Sequence, residues 1–297
     1  MIPYFDAHCD TNSVSNRLRS TECHLDLERL KTYSPCAQVF AICTETTDAP
    51  KKKAALLLER LNSELKKNSD IVKLCLNFDD ISLAASERKI AALISIEGAE
   101  QISSLTDAYS KGVRIIHPTW NFDNCYSGAA LGNGKGLSEA GKQFVREAQS
   151  LGIALDMSHI SERGFWDVLE IAERPVIAGH SNAKSICDVP RNISDEQFKA
   201  LVSIGGGAGI NLCLDFLGLG KDIDAITAHI EHFLSLGGEN SVFLGCDLDG
   251  IPETPNGICG VQDISKIYEA LLKRNYTETL VHKIFWGNLY NIMEKML

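Results

Sequence analysis

Short apolar runs of strand length alternate with longer amphipathic segments along most of the 297 residues, and this rhythm restricts the fold more than any other feature. The runs are Tyr4–Cys9, Gln38–Thr44, Ile71–Asn77, Ala91–Glu97, Val113–Trp120, Ile153–His159, Pro175–His180, Ala208–Leu212 and Val242–Asp247. Most are continuously apolar, as strands are when a parallel sheet is covered on both faces. Helical patterns fill most of the gaps. Ala49–Asn68 sets Leu56, Leu57, Arg60, Leu61, Glu64 and Leu65 on one stripe opposite a Lys-rich face. Ser138–Ser150, Ser161–Glu173, Ser194–Ser203 and Asp222–Leu236 have the same form. Ser138-Glu139, Ser161-Glu162 and Ser194-Asp195-Glu196 put a capping hydroxyl and first-turn acids at the helix starts. Tyr276–Leu297 reads as one or two closing helices.

Such alternation builds either an open doubly wound sheet or a (β/α)8 TIM barrel. Barrel enzymes gather polar side chains at the C-terminal strand ends. Here His8, Asp10, Glu97, His159, His180, Asp247 and Asp249 all stand at such ends. The expectation is therefore one α/β barrel domain over residues 1–297. Nine runs exceed the eight strands of a barrel by one. Ile71–Asn77, between a long helix and the polar turn Asp79-Asp80, is the expected extra short strand.

Composition removes several function classes. The 29 Lys plus Arg against 39 Asp plus Glu give a formal charge of −10. That argues against a nucleic-acid-binding face. No uninterrupted apolar run is long enough to span a membrane. The opening MIPYFDAHCD lacks the basic start and apolar stretch of a signal peptide. Ten cysteines are scattered without a C-x-x-C, several in apolar runs such as those of Cys43 and Cys213. They read as buried thiols in a reducing cytoplasm. Gly205-Gly206-Gly207-Ala208-Gly209 precedes a strand, and Gly132-Asn133-Gly134-Lys135-Gly136 lacks the Lys-Ser/Thr of a phosphate loop. Both are read as ordinary loops.

The strand-end residues carry the chemistry. In a strand, positions two apart face the same side, so His8 and Asp10 can chelate one ion together. Alone, this pair could equally be a turn in which Asp10 caps an amide. Glu97 ends the apolar AALISIEG and needs a partner, whether metal, Arg or helix cap. His159 closes ALDMSH and His180 closes VIAGH. Three imidazoles and two carboxylates placed equivalently in one sheet fit two zinc ions that share one acid. Asp247 in FLGCDLDG is the acid/base candidate, since Asp249 before Gly250 is more turn-like.

These segments resemble the membrane (renal-type) dipeptidase family, peptidase family M19, among the amidohydrolase-like zinc metallopeptidases. The likeness runs nearly end to end. DAHCDT resembles the family's D-G-H-x-D, and ALISIEGAE its A-x-I-G-x-E-G. GVRIIHPTWN stands in place of G-V-R-Y-x-T-L-T-H/W-N. GLSEAGKQFVREAQSLGIALDMSHIS is similar to a G-L-T segment ending in D-x-S-H-x-S. PVIAGHSNAKSICDVPRNISDE follows the family's P-V-I-x-S-H-S-N and R-N-x-x-D. LGCDLDGI resembles G-x-D-F-D-G, and WGNLYNIM the closing G-N segment.

The resemblance implies that His8 and Asp10 bind a first zinc, Glu97 bridges both, and His159 with His180 hold the second. It implies that Arg191 grips a substrate carboxylate and that Asp247 is the catalytic acid/base. The implied reaction is hydrolysis of small dipeptides, with tolerance for a D residue on the C-terminal side, by hydroxide generated between the two zincs. Trp120 stands where some members carry a His that contacts substrate. It can donate one N–H or wall the pocket, but it cannot shuttle a proton. His117, three residues earlier, is assigned by strand parity to the opposite face. His24, His229, His232 and His282 are read as surface or packing residues in helical patterns. The same ligands could serve N-acyl amino acid, lactone or phosphoester hydrolysis, and Trp120 motivates a reading as an inactive metal-binding barrel. Resembling proteins often dimerise, although no exposed stripe here points to a homodimer.

Overall fold

A computed structural model describes residues 1–44, 48–218 and 220–297. Its strands are β1 (Tyr4–Cys9), β2 (Cys36–Ile42), β3 (Val72–Leu74), β4 (Ile90–Glu97), β5 (Val113–His117), β6 (Ala154–Leu155), β7 (Ile177–Ala178), β8 (Gly207–Ile210) and β9 (Val242–Leu244). All pairings are parallel, in the order β6-β5-β4-β2-β1-β9-β8-β7. A further parallel bridge, Asp156 to Ile177, joins the two ends of that order and closes the barrel. β3 lies off the ring and pairs with the start of β4. The expected eight-stranded barrel with one extra strand is what forms.

Helices form where the periodicity and caps place them. Pro50–Lys67, Glu139–Ser150, Glu162–Ile171, Asp195–Ser203 and Ile223–Ser235 fill the predicted segments. Ser138, Ser161 and Ser194 accept from the backbone N–H of Gly141, Gly164 and Gln197, and Ser194 completes a capping box. The first of these helices turns a slightly different face inward: Ala54, Leu58, Leu61, Glu64 and Leu65 are buried and Leu56 is exposed. A stripe through Leu56 leaves out Ala54 and Leu58, which lie two turns and one turn before Leu61.

Two apolar layers follow from strand alternation. Tyr4, Phe40, Ile94, Ile116 and Leu244 point outward into a core shared with the helices. Phe5, Val39, Leu93, Ile115, Ile177 and Phe243 fill the interior with Trp286, Leu289, Ile292 and Met293 from the closing helices. The ring centroids of Trp286 and Phe5 are 5.5 Å apart, so these helices seal the barrel at the strand starts. The polar residues gather at the other end. Among the described residues no helix is long and apolar enough to cross a membrane.

Candidate metal centre

Regular alternation from Phe5 and Ala7 would turn His8 away from the interior. The register of β1 against β2 slips between Asp6 and Cys9, and this irregularity brings the imidazole inward. Asp6 pins it. Its Oδ1 accepts from the backbone N–H of His8 and of Cys246, each at 3.0 Å, and its Oδ2 from the Tyr4 hydroxyl at 2.7 Å. Glu97 reaches the same place from the last position of β4, on the face of Leu93. His159 and His180 follow β6 and β7, and Asp247 follows β9.

The donor atoms converge. His8 Nε2 lies 3.2 Å from Asp10 Oδ2 and 3.4 Å from Glu97 Oε1. That glutamate oxygen is also 3.0 Å from His159 Nε2 and 3.4 Å from His180 Nε2. Bonds of 2.0–2.1 Å put two ligands of a tetrahedral zinc about 3.3 Å apart, so the spacing suits such ions. Glu97 Oε1 and Asp10 Oδ1 are buried without a hydrogen-bond donor, an arrangement that is costly unless a cation compensates it. Imidazole with carboxylate is a ligand set that zinc accepts. The residues therefore fit a metal centre, with Glu97 at its middle.

Burial sets the electrostatics. It drives the His159 and His180 imidazoles well below their usual pKa, and the nearby Arg191 and His8 charges add to this, so both rings are neutral. The Nδ1–H of His159 donates to Asn121 Oδ1 at 3.0 Å, leaving the Nε2 lone pair for the centre. Burial alone would lower His8 too, but Glu97 and Asp10 outweigh it and raise His8 to about 10. Burial lifts Glu97 to about 8, opposed by His8. Burial likewise lifts Asp247 to about 6, with His8 and a 2.9 Å hydrogen bond from Asn211 Nδ2 opposing. Gly250 lets Asp10 and Asp247 approach: a Cβ there would lie 2.3 Å from an oxygen of each.

A cavity of about 330 Å³ opens over these groups. Trp120, Leu131, Val189, Phe216 and Ile251 supply apolar walls, and Arg191 and Asp247 are polar groups facing it. Arg191 is only 4% exposed; it donates to the Ser158 carbonyl, and its Nη2 stands 3.1 Å from His159 Nε2. Trp120 is half-buried, its ring centroid 6.5 Å from that of His159. Seven of the eight residues singled out from the sequence thus line one cavity, and His8 lies buried behind it against Asp10 and Glu97. Asp249 accepts from Thr11 Oγ1 and from the backbone N–H groups of His24 and Leu25, a turn role as expected.

Two histidine assignments change. β5 ends at His117 and Pro118 follows, so strand parity cannot be carried on to Trp120. His117 shares the interior face of Ile115, and its ring centroid is 5.6 Å from those of both His8 and His180. His24 lies in a loop and its Nδ1 accepts from the Asp249 N–H at 3.2 Å. Asp6, Asn121, Asp156 and Asn211, which orient the site, were not assigned roles from sequence. Asp156 had a signal, its place two residues before Ser158-His159.

The chain matches the family model described as membrane dipeptidase (peptidase family M19) over residues 1–296. It is 31% identical to an uncharacterized Klebsiella pneumoniae protein, over 76% of this chain and 89% of that one. An uncharacterized dipeptidase of Schizosaccharomyces pombe is 32% identical over 77% of this chain, which spans 59% of that protein. Among solved structures, a metallopeptidase described as dipeptidase AC superimposes with a TM-score of 0.90 at 26% identity, covering 99% of this chain and 98% of that one. A Rhodobacter sphaeroides metallopeptidase, liganded with a phosphinate mimic of the dipeptide L-Ala-D-Ala, has the same fold with a TM-score of 0.91 at 24% identity, covering 100% and 99%. A match from end to end, on a barrel whose polar rim joins His8, Asp10, Glu97, His159 and His180, makes this chain a member of the membrane dipeptidase family, peptidase family M19.

Proposed function

We propose that the protein is a zinc-dependent dipeptidase that hydrolyses the peptide bond of small dipeptides, including those with a D residue on the C-terminal side. The observation that carries this reading is the Glu97 oxygen within 3.4 Å of three imidazoles, one in β1 and the others just after β6 and β7. His8 and Asp10 would hold one zinc, His159 and His180 the other, with Glu97 shared. When bound, two such ions polarise a carbonyl and lower the pKa of water enough to supply hydroxide at neutral pH. Asp247, at the rim of the cavity, accepts the proton of the attacking water and delivers it to the leaving amine. The buried Arg191 fork clamps the free C-terminal carboxylate, which sets the length of chain accepted. Trp120 walls the pocket and has one N–H to offer the substrate. A cavity near 330 Å³ is at the small end for ligand sites and suits two residues rather than a polypeptide. The tolerance for a D residue is consistent with the L-Ala-D-Ala mimic bound by the Rhodobacter relative. Ten cysteines without a disulfide fit a reducing cytoplasm.

Protein supplied with zinc should release free amino acids from a dipeptide panel. A chelator should abolish turnover and added zinc should restore it. Metal-replete protein that cleaves nothing in a broad L,L and L,D panel would refute the proposal.

A further inference from the structure

His117 has no part in the two-ion reading above. It is fully buried at the end of β5, and neither ring nitrogen has a hydrogen-bond partner. Its Nδ1 faces the centre, 4.0 Å from Glu97 Oε1. With His8 and Glu97 it forms a group whose donor atoms all lie within 4.8 Å of one another. Its Nε2 faces away, 3.6 Å from Asp156 Oδ2. The other oxygen of Asp156 takes three donors: the Ser158 N–H at 3.0 Å, the Ser158 hydroxyl at 2.6 Å and the Gly179 N–H at 2.8 Å. The carboxylate is thereby fixed, and Oδ2 is left buried with no donor.

A metal-bound histidine usually gives its second N–H to a carboxylate, which sets the tautomer and aims the lone pair at the ion. Resting on the two-ion reading, we propose that His117 is a further ligand of the ion held by His8 and Asp10, binding through Nδ1 with Asp156 as its orienting carboxylate. The 4.0 Å separation is too long for a hydrogen bond. It exceeds the roughly 3.3 Å of a tetrahedral pair and lies near the limit of about 4.2 Å for opposed ligands, so the ion would be five-coordinate with Glu97 and His117 set wide apart. His117, Asp156 and His180 also converge. An ion there would have one carboxylate and would use His180 in two directions, since its Nε2 already faces Glu97 and His159. The first arrangement needs no such sharing. An added imidazole also biases that site toward zinc or cobalt over magnesium or manganese.

The test uses the full chain loaded with cobalt. Each ligating imidazole contributes one exchangeable, hyperfine-shifted N–H resonance, so the wild type should show four, and three would overturn the proposal. Titration against a chromophoric chelator should give two equivalents. His117→Gln should weaken one of the two sites by about 10- to 100-fold and alter its visible bands, and Asp156→Asn should weaken the same site less. Unchanged affinity and spectrum in His117→Gln, or a third equivalent in the wild type, would refute it. Wild type that binds no cobalt would instead remove the two-ion reading itself. Should His117→Gln fail to fold, the wild-type resonance count still decides.

Discussion

Arg191→Met tests the substrate reading most directly. Methionine keeps the apolar stem and removes the guanidinium. That group is 4% exposed and already anchored by the Ser158 carbonyl, so it meets a ligand carboxylate with little water between them. A charge-assisted hydrogen bond contributes about 1.5–3 kcal/mol, and truncating one partner of a buried charged pair costs about 2–5 kcal/mol. A loss of about 3–4 kcal/mol, at 1.4 kcal/mol per tenfold, lowers kcat/KM on a dipeptide by about 10²–10³. The loss should fall mainly on KM, because the clamp holds ground state and transition state alike. The metal centre should not suffer, since the substitution removes a donor that stands 3.1 Å from His159 Nε2 and competes for its lone pair. The assay is amino-acid release from a dipeptide and from its C-terminal amide, with metal content measured on both proteins. The amide has no carboxylate to clamp, so its hydrolysis should change less than about threefold by the same arithmetic. Equal losses on both substrates, or a variant stripped of metal, would show that Arg191 supports the centre rather than the substrate.

Asp247→Asn preserves shape and the Asn211 contact, so kcat should fall by about 10²–10⁴ with metal content intact, and a kcat within tenfold of wild type would exclude Asp247 as the acid/base. Gly179→Ala places a Cβ 1.9 Å from Asp156 Oδ2, so the strand or the carboxylate must shift. A cost of about 1–3 kcal/mol is expected, and an unchanged thermal midpoint would refute the close approach. His229 is buried, accepts from the Ala183 N–H through Nδ1 and faces the Leu217 carbonyl through Nε2, and burial lowers its pKa to about 4. Its folded pKa lies below the unfolded value near 6.5, so the unfolded chain binds the extra proton between pH 6.5 and 4 and stability falls as pH drops through that window. The contribution at pH 4.5 relative to pH 7 is about 2 kcal/mol, and it should vanish from the urea-unfolding pH profile of His229→Gln. Parallel profiles for the two proteins would contradict it.

The fold was legible because its signals are local. Apolar runs and Ser-plus-acid caps are written within a few residues of where they act, and the bounds moved by only a few positions. The extra strand was legible for the same reason, since Val72–Leu74 lies between a long helix and a polar turn. Boundaries failed at the strand ends. The apolar runs carry strands on to Trp120, His159, His180 and Asp247, but the strands end at His117, Leu155, Ala178 and Leu244, where the chain opens into the loops that build the site.

The site was legible only as far as each residue acts from its own strand end. His8, Asp10, Glu97, His159 and His180 are terminal polar residues after apolar runs, and that pattern alone brings them to one rim. The groups that aim them act across strands, where linear spacing carries no information. Asp6 holds the β1 irregularity through the Cys246 N–H, 240 residues away, and Asn211 orients Asp247 from the next strand. His117 shows the limit most clearly. Its spacing to Trp120 suggested the wrong face because Pro118 ends the strand between them. Only the folded barrel shows its ring between Glu97 and Asp156, 4.0 Å and 3.6 Å from their oxygens. A residue that lies inside an apolar run, with both ring nitrogens buried and unpaired, has no hydrophobic reason to be histidine. The burial of His117 can be afforded only if something binds it, and the cobalt experiment asks whether that partner is the ion held by His8 and Asp10.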